Sequence, residues 1–172
     1  LIPRRVEQFY SPYRGAIVLP PKRGLHDKIA VLDFTAMYPN LMILHNLSPD
    51  TFIRPDESPP NGITVVPEVN HRFRKDPPGF YKTVLSNLID VREQIRKRLK
   101  TIDPKTIEYR ILKEREKAVK VITNATYGYA GWVGARWYVR EVAESAAAFG
   151  RATIQEVIKT AEKTGLEVIY SD

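Results

Sequence analysis

The amino-acid sequence predicts an α+β fold: strands and loops fill the first half, helices fill the second, and two of the helices form a hairpin. Three observations support this. Of the 13 prolines, all but Pro104 lie before residue 79, so the chain changes character there. Two short β-rich runs, residues 16–19 and 28–33, lie ahead of that point. Beyond it Leu85, Leu88, Ile95, Leu99 and Ile102 keep the spacing of one helical face until Asp103-Pro104 interrupts them.

In order, residues 16–19 read as a strand and residues 28–33 as a second one closed by Asp33. Residues 36–44 read as a helix in which Pro39 takes a tolerated first-turn position. Residues 54–80 hold Pro55, Pro59, Pro60, Asn61-Gly62, Pro67 and Pro77-Pro78-Gly79, and read as a long surface excursion. A helix from Lys82 to Lys100 and another from about Lys105 to Tyr127, joined by a tight turn, make the hairpin. Gly128, Gly131 and Gly134 mark a bend. A third helix spans roughly residues 139–164, Gly165 can cap it, and residues 166–170 read as a closing strand.

The 172 residues, 43% hydrophobic and 27% charged, suffice for about one globular domain. No apolar run approaches the roughly 18 residues of a membrane span and no leader opens the chain, which points to a cytoplasmic protein without a membrane partner. The absence of cysteine removes disulfides, thiolate metal sites and cysteine nucleophiles, leaving oxygen or one of 3 histidines to hold any metal. A net charge of +7 favours a polyanionic partner. The chain opens at Leu1 and stops at Asp172 without a polar tail, and reads as an excerpt.

Three constellations carry chemistry. In the first, an apolar run delivers Asp33 directly ahead of a helix start, where a carboxylate can hold a divalent cation and the N–H groups of Ala36, Met37 and Tyr38 can meet an anion. Such an acid also reads as a helix N-cap or a turn residue, and Tyr38 as a core or rim aromatic.

The second lies on the hairpin, where Arg92, Arg96 and Lys100 share one face, and Lys113, Lys117, Lys120, Asn124 and Tyr127 share another. The opposite face of the second helix carries Ile111, Ala118, Ile122 and Ala125. A charged face is usually just solvated, but two facing basic stripes repel unless an anion lies between them, and a triphosphate or nucleic-acid backbone is such an anion. Residues 81–120 hold +6 of the net +7.

The third is the run 166–172, a second β-rich stretch that ends in an acid, Asp172. Two strand-end aspartates are what a two-metal phosphoryl-transfer site requires, with cations roughly 3.5–4 Å apart. Trp132, Trp137, Tyr129 and Tyr138 interleave with Arg136 and Arg140, a mixture that suits either nucleic-acid stacking or core packing.

Asp33-Phe34-Thr35-Ala36-Met37-Tyr38-Pro39, Lys120-Val121-Ile122-Thr123-Asn124-Ala125-Thr126-Tyr127-Gly128 and Tyr170-Ser171-Asp172 resemble, in order and spacing, the three polymerase motifs of family B DNA polymerases, in their archaeal form. The resemblance extends over essentially the whole chain, including Ala135-Arg136-Trp137-Tyr138 and Gly150-Arg151. It implies a palm built from residues 1–80 and 129–172, containing an antiparallel sheet with packed helices, and a helical-hairpin fingers subdomain at residues 81–128. It implies two Mg2+ ions, replaceable by Mn2+, held by the catalytic residues Asp33 and Asp172 with the carbonyl of Phe34. Tyr38 would pack under the deoxyribose and exclude a 2′-hydroxyl. Arg92, Arg96 and Lys120 would hold the triphosphate, with Lys120 also a catalytic proton donor to pyrophosphate. Asn124 would support the nucleotide, and Tyr127 with Gly128 would lie near the nascent pair.

The implied partners are primer-template DNA, deoxynucleoside triphosphates and the remaining polymerase segments: exonuclease, thumb and the rest of the third motif. A sliding clamp is a further candidate. The chain departs from the family's usual residues at Ala125 and Asn40, where serine is common, and at Ala147, where threonine is; none of these changes removes a charge or a ligand. The third motif would continue to a second aspartate, so this chain alone is expected to be inactive. The alternative is a catalytically inactive DNA-binding or structural polymerase subunit, against which the pairing of Asp33 with Lys120 argues. Tyr38 argues against an RNA-synthesising enzyme.

Overall fold

The computed structural model describes residues 11–58 and 61–171; residues 1–10, 59–60 and Asp172 lie outside the described residues. The fold is α+β, with a small antiparallel sheet beside a group of packed helices. Helix α1, Met37–Leu44, starts behind Ala36, whose backbone sits in the left-handed region at φ 48° and ψ 51°. That conformation strains any residue with a Cβ. Asn40 supports the bend by donating its side-chain amide to the Thr35 carbonyl at 2.8 Å.

The loop after α1 builds the start of the next helix. Asn46, only 2% exposed, donates to the carbonyls of Arg74, Lys75 and Pro77 and accepts from the N–H of Gly79. Ser48 Oγ accepts from the N–H of Tyr81, and the Asp50 carboxylate accepts from the N–H of Phe80. Helix α2, Phe80–Leu99, therefore has its first free donors satisfied by side chains from far upstream.

Residues 54–80 depart from the expected surface excursion. Strands β1, Phe52–Ile53, β2, Ile63–Val65, and β3, Arg72–Arg74, form an antiparallel sheet in the order β1-β3-β2, with Phe73 opposite both Phe52 and Thr64. Phe73 and Val66 are fully buried in the main core with Met42, Leu47, Tyr81, Leu85, Val142 and Ala146. The prolines sit between these short strands, and the apolar residues among them were the signal that the segment docks onto the core.

Helix α3, Ile107–Gly131, begins at Thr106, whose hydroxyl accepts from the N–H of Tyr109 at 3.2 Å. It pairs with α2 as the expected hairpin. The seam is closed by Ile95 and Val119 and by two ion pairs: Arg92 to Glu116 at 2.8 Å and Arg98 to Glu108 at 2.6 Å. Ile111 and Ile122, on the face read as opposing the basic stripe, are 62% and 55% exposed, and Ala118 and Ala125 are exposed too. The buried residues of α3 are instead Glu116, Val119, Thr123 and Ala130. Away from its contacts with α1, α2 and the helix that follows it, the faces of α3 are exposed. Gly128 and Gly131 lie inside α3, and the expected bend comes only after them.

Helix α4, Arg140–Lys163, packs its alanine-rich face on α1 and α3. Gly165 follows it at φ 82°, as a left-handed cap requires. Trp137 packs on Phe80, with centroids 4.8 Å apart, and Tyr138 is buried, so these two serve the core rather than a stacking surface. Trp132 is exposed.

The runs 16–19, 28–33 and 166–170 do not form strands. Leu19 makes one antiparallel bridge with Ser171, and the N–H of Lys22 donates to the Ile169 carbonyl, so residues 19–22 lie beside the run 166–170 without a continuous ladder. Residues 28–33 have no ladder among the described residues: Lys28, at φ 55°, breaks the extended backbone, and Val31 and Leu32 are 87% and 84% exposed. A strand without a neighbour has no hydrogen bonds to hold it. Among the described residues no helix is long and apolar enough to cross a membrane.

Candidate functional site

A cleft of about 570 Å³ opens between the start of α1 and the base of the hairpin, lined by residues 33–39, Arg92, Arg96, Lys120 and Asn124. Three stretches distant in sequence supply it. The turn into α1 presents Asp33, the carbonyl of Phe34 and the first N–H groups of the helix, which an α-helix leaves without internal partners. Across from it α2 contributes Arg92 and Arg96, and α3 contributes Lys120 and Asn124. One side of the cleft is therefore a carboxylate beside helix donors, and the other is a row of cations.

The cations differ in their freedom. Arg92 donates through Nε and Nη2 to Glu116 Oε1, both at 2.8 Å, and the pair is mostly buried in the hairpin seam. It lines the cleft while tying the two helices together. Arg96 and Lys120 are exposed and have no acid partner among the described residues. Asp33 is likewise exposed at the rim.

Beneath the cleft lies a stack of phenols. Tyr38, from the first turn of α1, lies 4.1 Å from Tyr127 of α3, with the rings within 12° of parallel. Tyr127 OH sits 3.4 Å from the hydroxyl of Tyr13. Burial, followed by the contact with Tyr13, raises the Tyr127 phenol well above its ordinary value; burial raises Tyr38 as well. Both hydroxyls are therefore protonated across the physiological range.

The structure thus brings together Asp33, Phe34, Ala36, Met37, Tyr38, Arg92, Arg96, Lys120 and Asn124 in one cleft, and places Tyr127 directly under it. Gly128 is not among the lining residues, and Asp172 lies outside the described residues. For a divalent metal, Asp33 and the Phe34 carbonyl are hard oxygen donors of the right type. They are a partial set: among the described residues no three His, Cys, Asp or Glu side chains gather to hold an ion.

Sequence reasoning missed Tyr13 and Glu68, and it named Arg140 and Arg151 without the contacts they make here. Arg151 is 2% exposed and donates to Glu68 and to the carbonyls of Arg14 and Gly15. A usable signal existed: Arg140 and Arg151, eleven residues apart, fall on one side of the helix and bracket a stretch, residues 142–150, that is small and mostly apolar.

The sequence profile of DNA polymerase family B matches residues 1–171. DNA polymerase 2 of Aeropyrum pernix is 51% identical over the whole chain, which corresponds to 22% of that protein, and a DNA polymerase of Archaeoglobus fulgidus is 45% identical over 93% of the chain and 20% of its own length. The solved family B DNA polymerase of Pyrobaculum calidifontis superposes with a TM-score of 0.81 and 54% identity, over 99% of this chain and 23% of that one. The chain thus spans about a fifth of the length of the proteins it matches. With a family match running from one end to the other, and the cleft built from the matching motifs, this chain belongs to DNA polymerase family B.

Proposed function

We propose that this chain is the palm-and-fingers part of a DNA-dependent DNA polymerase, with the palm at residues 1–80 and 129–172, the fingers at 81–128, and the cleft as the site of the incoming deoxynucleoside triphosphate. The single observation that carries this is the meeting of Asp33, Arg96 and Lys120 across one cleft from three separate parts of the chain. A site for nucleic-acid backbone alone needs the cations but has no use for a carboxylate facing them.

In this reading Arg96 and Lys120 neutralise the triphosphate, Arg92 contributes while remaining tied to Glu116, and the N–H groups at the start of α1 approach phosphate oxygens. Lys120 also delivers a proton to the departing pyrophosphate. Tyr38, pressed against Tyr127, presents a ring edge that a 2′-hydroxyl would strike, and Asn124, Tyr127 and Gly128 flank the nucleotide. Family B DNA polymerases generally use divalent metals. Asp33, the Phe34 carbonyl and Asp172 would hold them here, and when bound they supply Lewis acidity to the phosphoryl oxygens and to the primer hydroxyl. Primer-template DNA and the other polymerase segments are the proposed partners.

The test places this chain in a family B polymerase in exchange for the corresponding segment. Asp33→Ala should reduce primer extension by at least about a thousandfold while DNA binding persists, in keeping with the several kcal/mol that metal ligation supplies to phosphoryl transfer. Lys120→Ala should lower kcat and Arg96→Ala should raise the nucleotide KM, each about ten- to a hundredfold. Extension by the Asp33 variant within tenfold of the parent rejects the reading. The 172-residue chain alone, with one described carboxylate in the cleft, should show no magnesium-dependent synthesis.

A further inference from the structure

We propose that Tyr13, held across α4 by Arg140 and Arg151, is a positioning residue that sets the stack of Tyr127 on Tyr38 and thereby the sugar selectivity of the cleft. The inference rests on the reading of Tyr38 as the residue that meets the sugar.

The two arginines stand three turns apart on α4, so both point to the same side of the helix. Arg140 donates to the carbonyls of Ser11 and Pro12 at 3.1 and 2.9 Å, and Glu144 steadies its guanidinium. Arg151 donates to the carbonyls of Arg14 and Gly15 at 2.7 and 2.8 Å, and Glu68 Oε2 accepts from its Nη2 at 2.6 Å. The four carbonyls flank Tyr13 on both sides, so the arginines fix the backbone that carries this one side chain. The Arg140 guanidinium also lies 6.0 Å from the Tyr13 ring centre. The Arg151 guanidinium is almost completely removed from water, a placement that is stable only because its donors are matched.

The space around the stack is equally specified. A Cβ on Gly131 would lie 2.7 Å from the Tyr13 hydroxyl, and one on Gly150 would lie 3.1 Å from Tyr38 Cε1. Both positions that border the phenols therefore lack a side chain where one would displace them. Parallel aromatic rings slide over one another at little cost. The hydroxyl of Tyr13 beside that of Tyr127, with Gly150 closing the far edge of Tyr38, removes that freedom. The position of the Tyr38 ring edge, which decides whether a 2′-hydroxyl fits, is then set from α4 and from residue 13.

The experiment compares Tyr13→Phe, Gly150→Ala and Tyr38→Ala in a family B polymerase carrying this chain, reading kcat and KM for one deoxynucleotide and the matching ribonucleotide. Tyr13→Phe should lower deoxy-over-ribo selectivity about fivefold to tenfold, the loss expected for one hydroxyl contact, mainly through the ribonucleotide KM. Gly150→Ala should shift the same ratio. In the 172-residue chain with carbon-13-labelled tyrosine, the ring resonance of Tyr38 should move in both variants. A merely structural role would instead lower the melting temperature and reduce use of both sugars alike, with the ratio intact. If Tyr13→Phe and Gly150→Ala keep the parent ratio while Tyr38→Ala loses it, the inference is overturned and the gate stands. If Tyr38→Ala keeps the ratio too, the gate reading itself fails and the selectivity role of Tyr13 falls with it.

Discussion

Helices α3 and α4 are almost equal in length, 25 and 24 residues, yet α4 has eight buried residues and α3 has four. The arginines of α4 and those that α2 directs onto α3 differ as well. On α4, Arg140 and Arg151 pair with Glu144 and Glu68 and in addition reach backbone carbonyls of another segment. In the hairpin, Arg92 and Arg98 reach carboxylates on the neighbouring helix. Backbone carbonyls are fixed once the chain is folded, whereas side-chain partners can let go and reform. The side of the cleft that carries Tyr38 is thus tied to backbone through α4, and on the side that carries Arg96 and Lys120 the hairpin seam is tied by carboxylate pairs, with α3 also packed on α1 and α4.

Substitutions at five positions probe that contrast, each measured by denaturant unfolding of the 172-residue chain. Met42→Ala, fully buried in α1, should cost the most, about 3 kcal/mol or more. Arg92→Ala leaves Glu116, with its side chain 9% exposed, without its cation and should cost about 2–3 kcal/mol; adding Glu116→Leu to Arg92→Leu should recover most of it. If Arg92→Ala is instead neutral, the seam is not held by this pair and the contrast drawn above fails.

His45 gives a smaller effect that depends on pH. It stacks on Phe149 at 3.6 Å, and burial lowers its pKa below the ordinary 6.5. Above pH 6.5 the imidazole is neutral whether folded or unfolded, and its contribution is complete. As pH falls through 6.5 the unfolded chain binds the proton first, so stability drops until the lower folded value is passed. The unfolding free energy of the parent should therefore fall more steeply between pH 7 and 5.5 than that of His45→Gln. The smallest effect is expected at Ile122→Ser, on the open face of α3, within about 0.5 kcal/mol of the parent. A larger loss there would mean that this face is covered.

The hairpin and the third helix were legible in the sequence because helical periodicity is local: Leu85, Leu88, Ile95 and Leu99, for example, repeat along one face of α2 whatever surrounds them. The cleft was legible for a different reason, since Asp33, Tyr38, Lys120 and Asn124 were identified by their motifs and then found side by side. The strands were not. Residues 28–33 have the composition of a strand but no described ladder partner, whereas residues 63–65 and 72–74, hidden among prolines, pair through Phe73. Pairing depends on which segments meet, and composition does not state that. Tyr13, and the role of Arg151, were missed because their contacts arise between residues more than a hundred positions apart.

The unbroken course of α3 has a mechanical consequence. Its far end is the hairpin tip at Ile107, and near its other end Tyr127 is clasped by Tyr13 and Tyr38. At a rise of about 1.5 Å per residue, Ile107 lies roughly 30 Å from Tyr127 and Lys120 lies roughly 10 Å from it. Treated as a rod pivoting at Tyr127, a tilt of about 10° carries the tip by about 5 Å, Lys120 by about 2 Å and the phenol stack hardly at all. The helix is therefore a lever with its fulcrum at the phenol stack: large excursions of the tip arrive at Lys120 as a small, graded stroke, and leave the contact of Tyr127 with Tyr38 undisturbed.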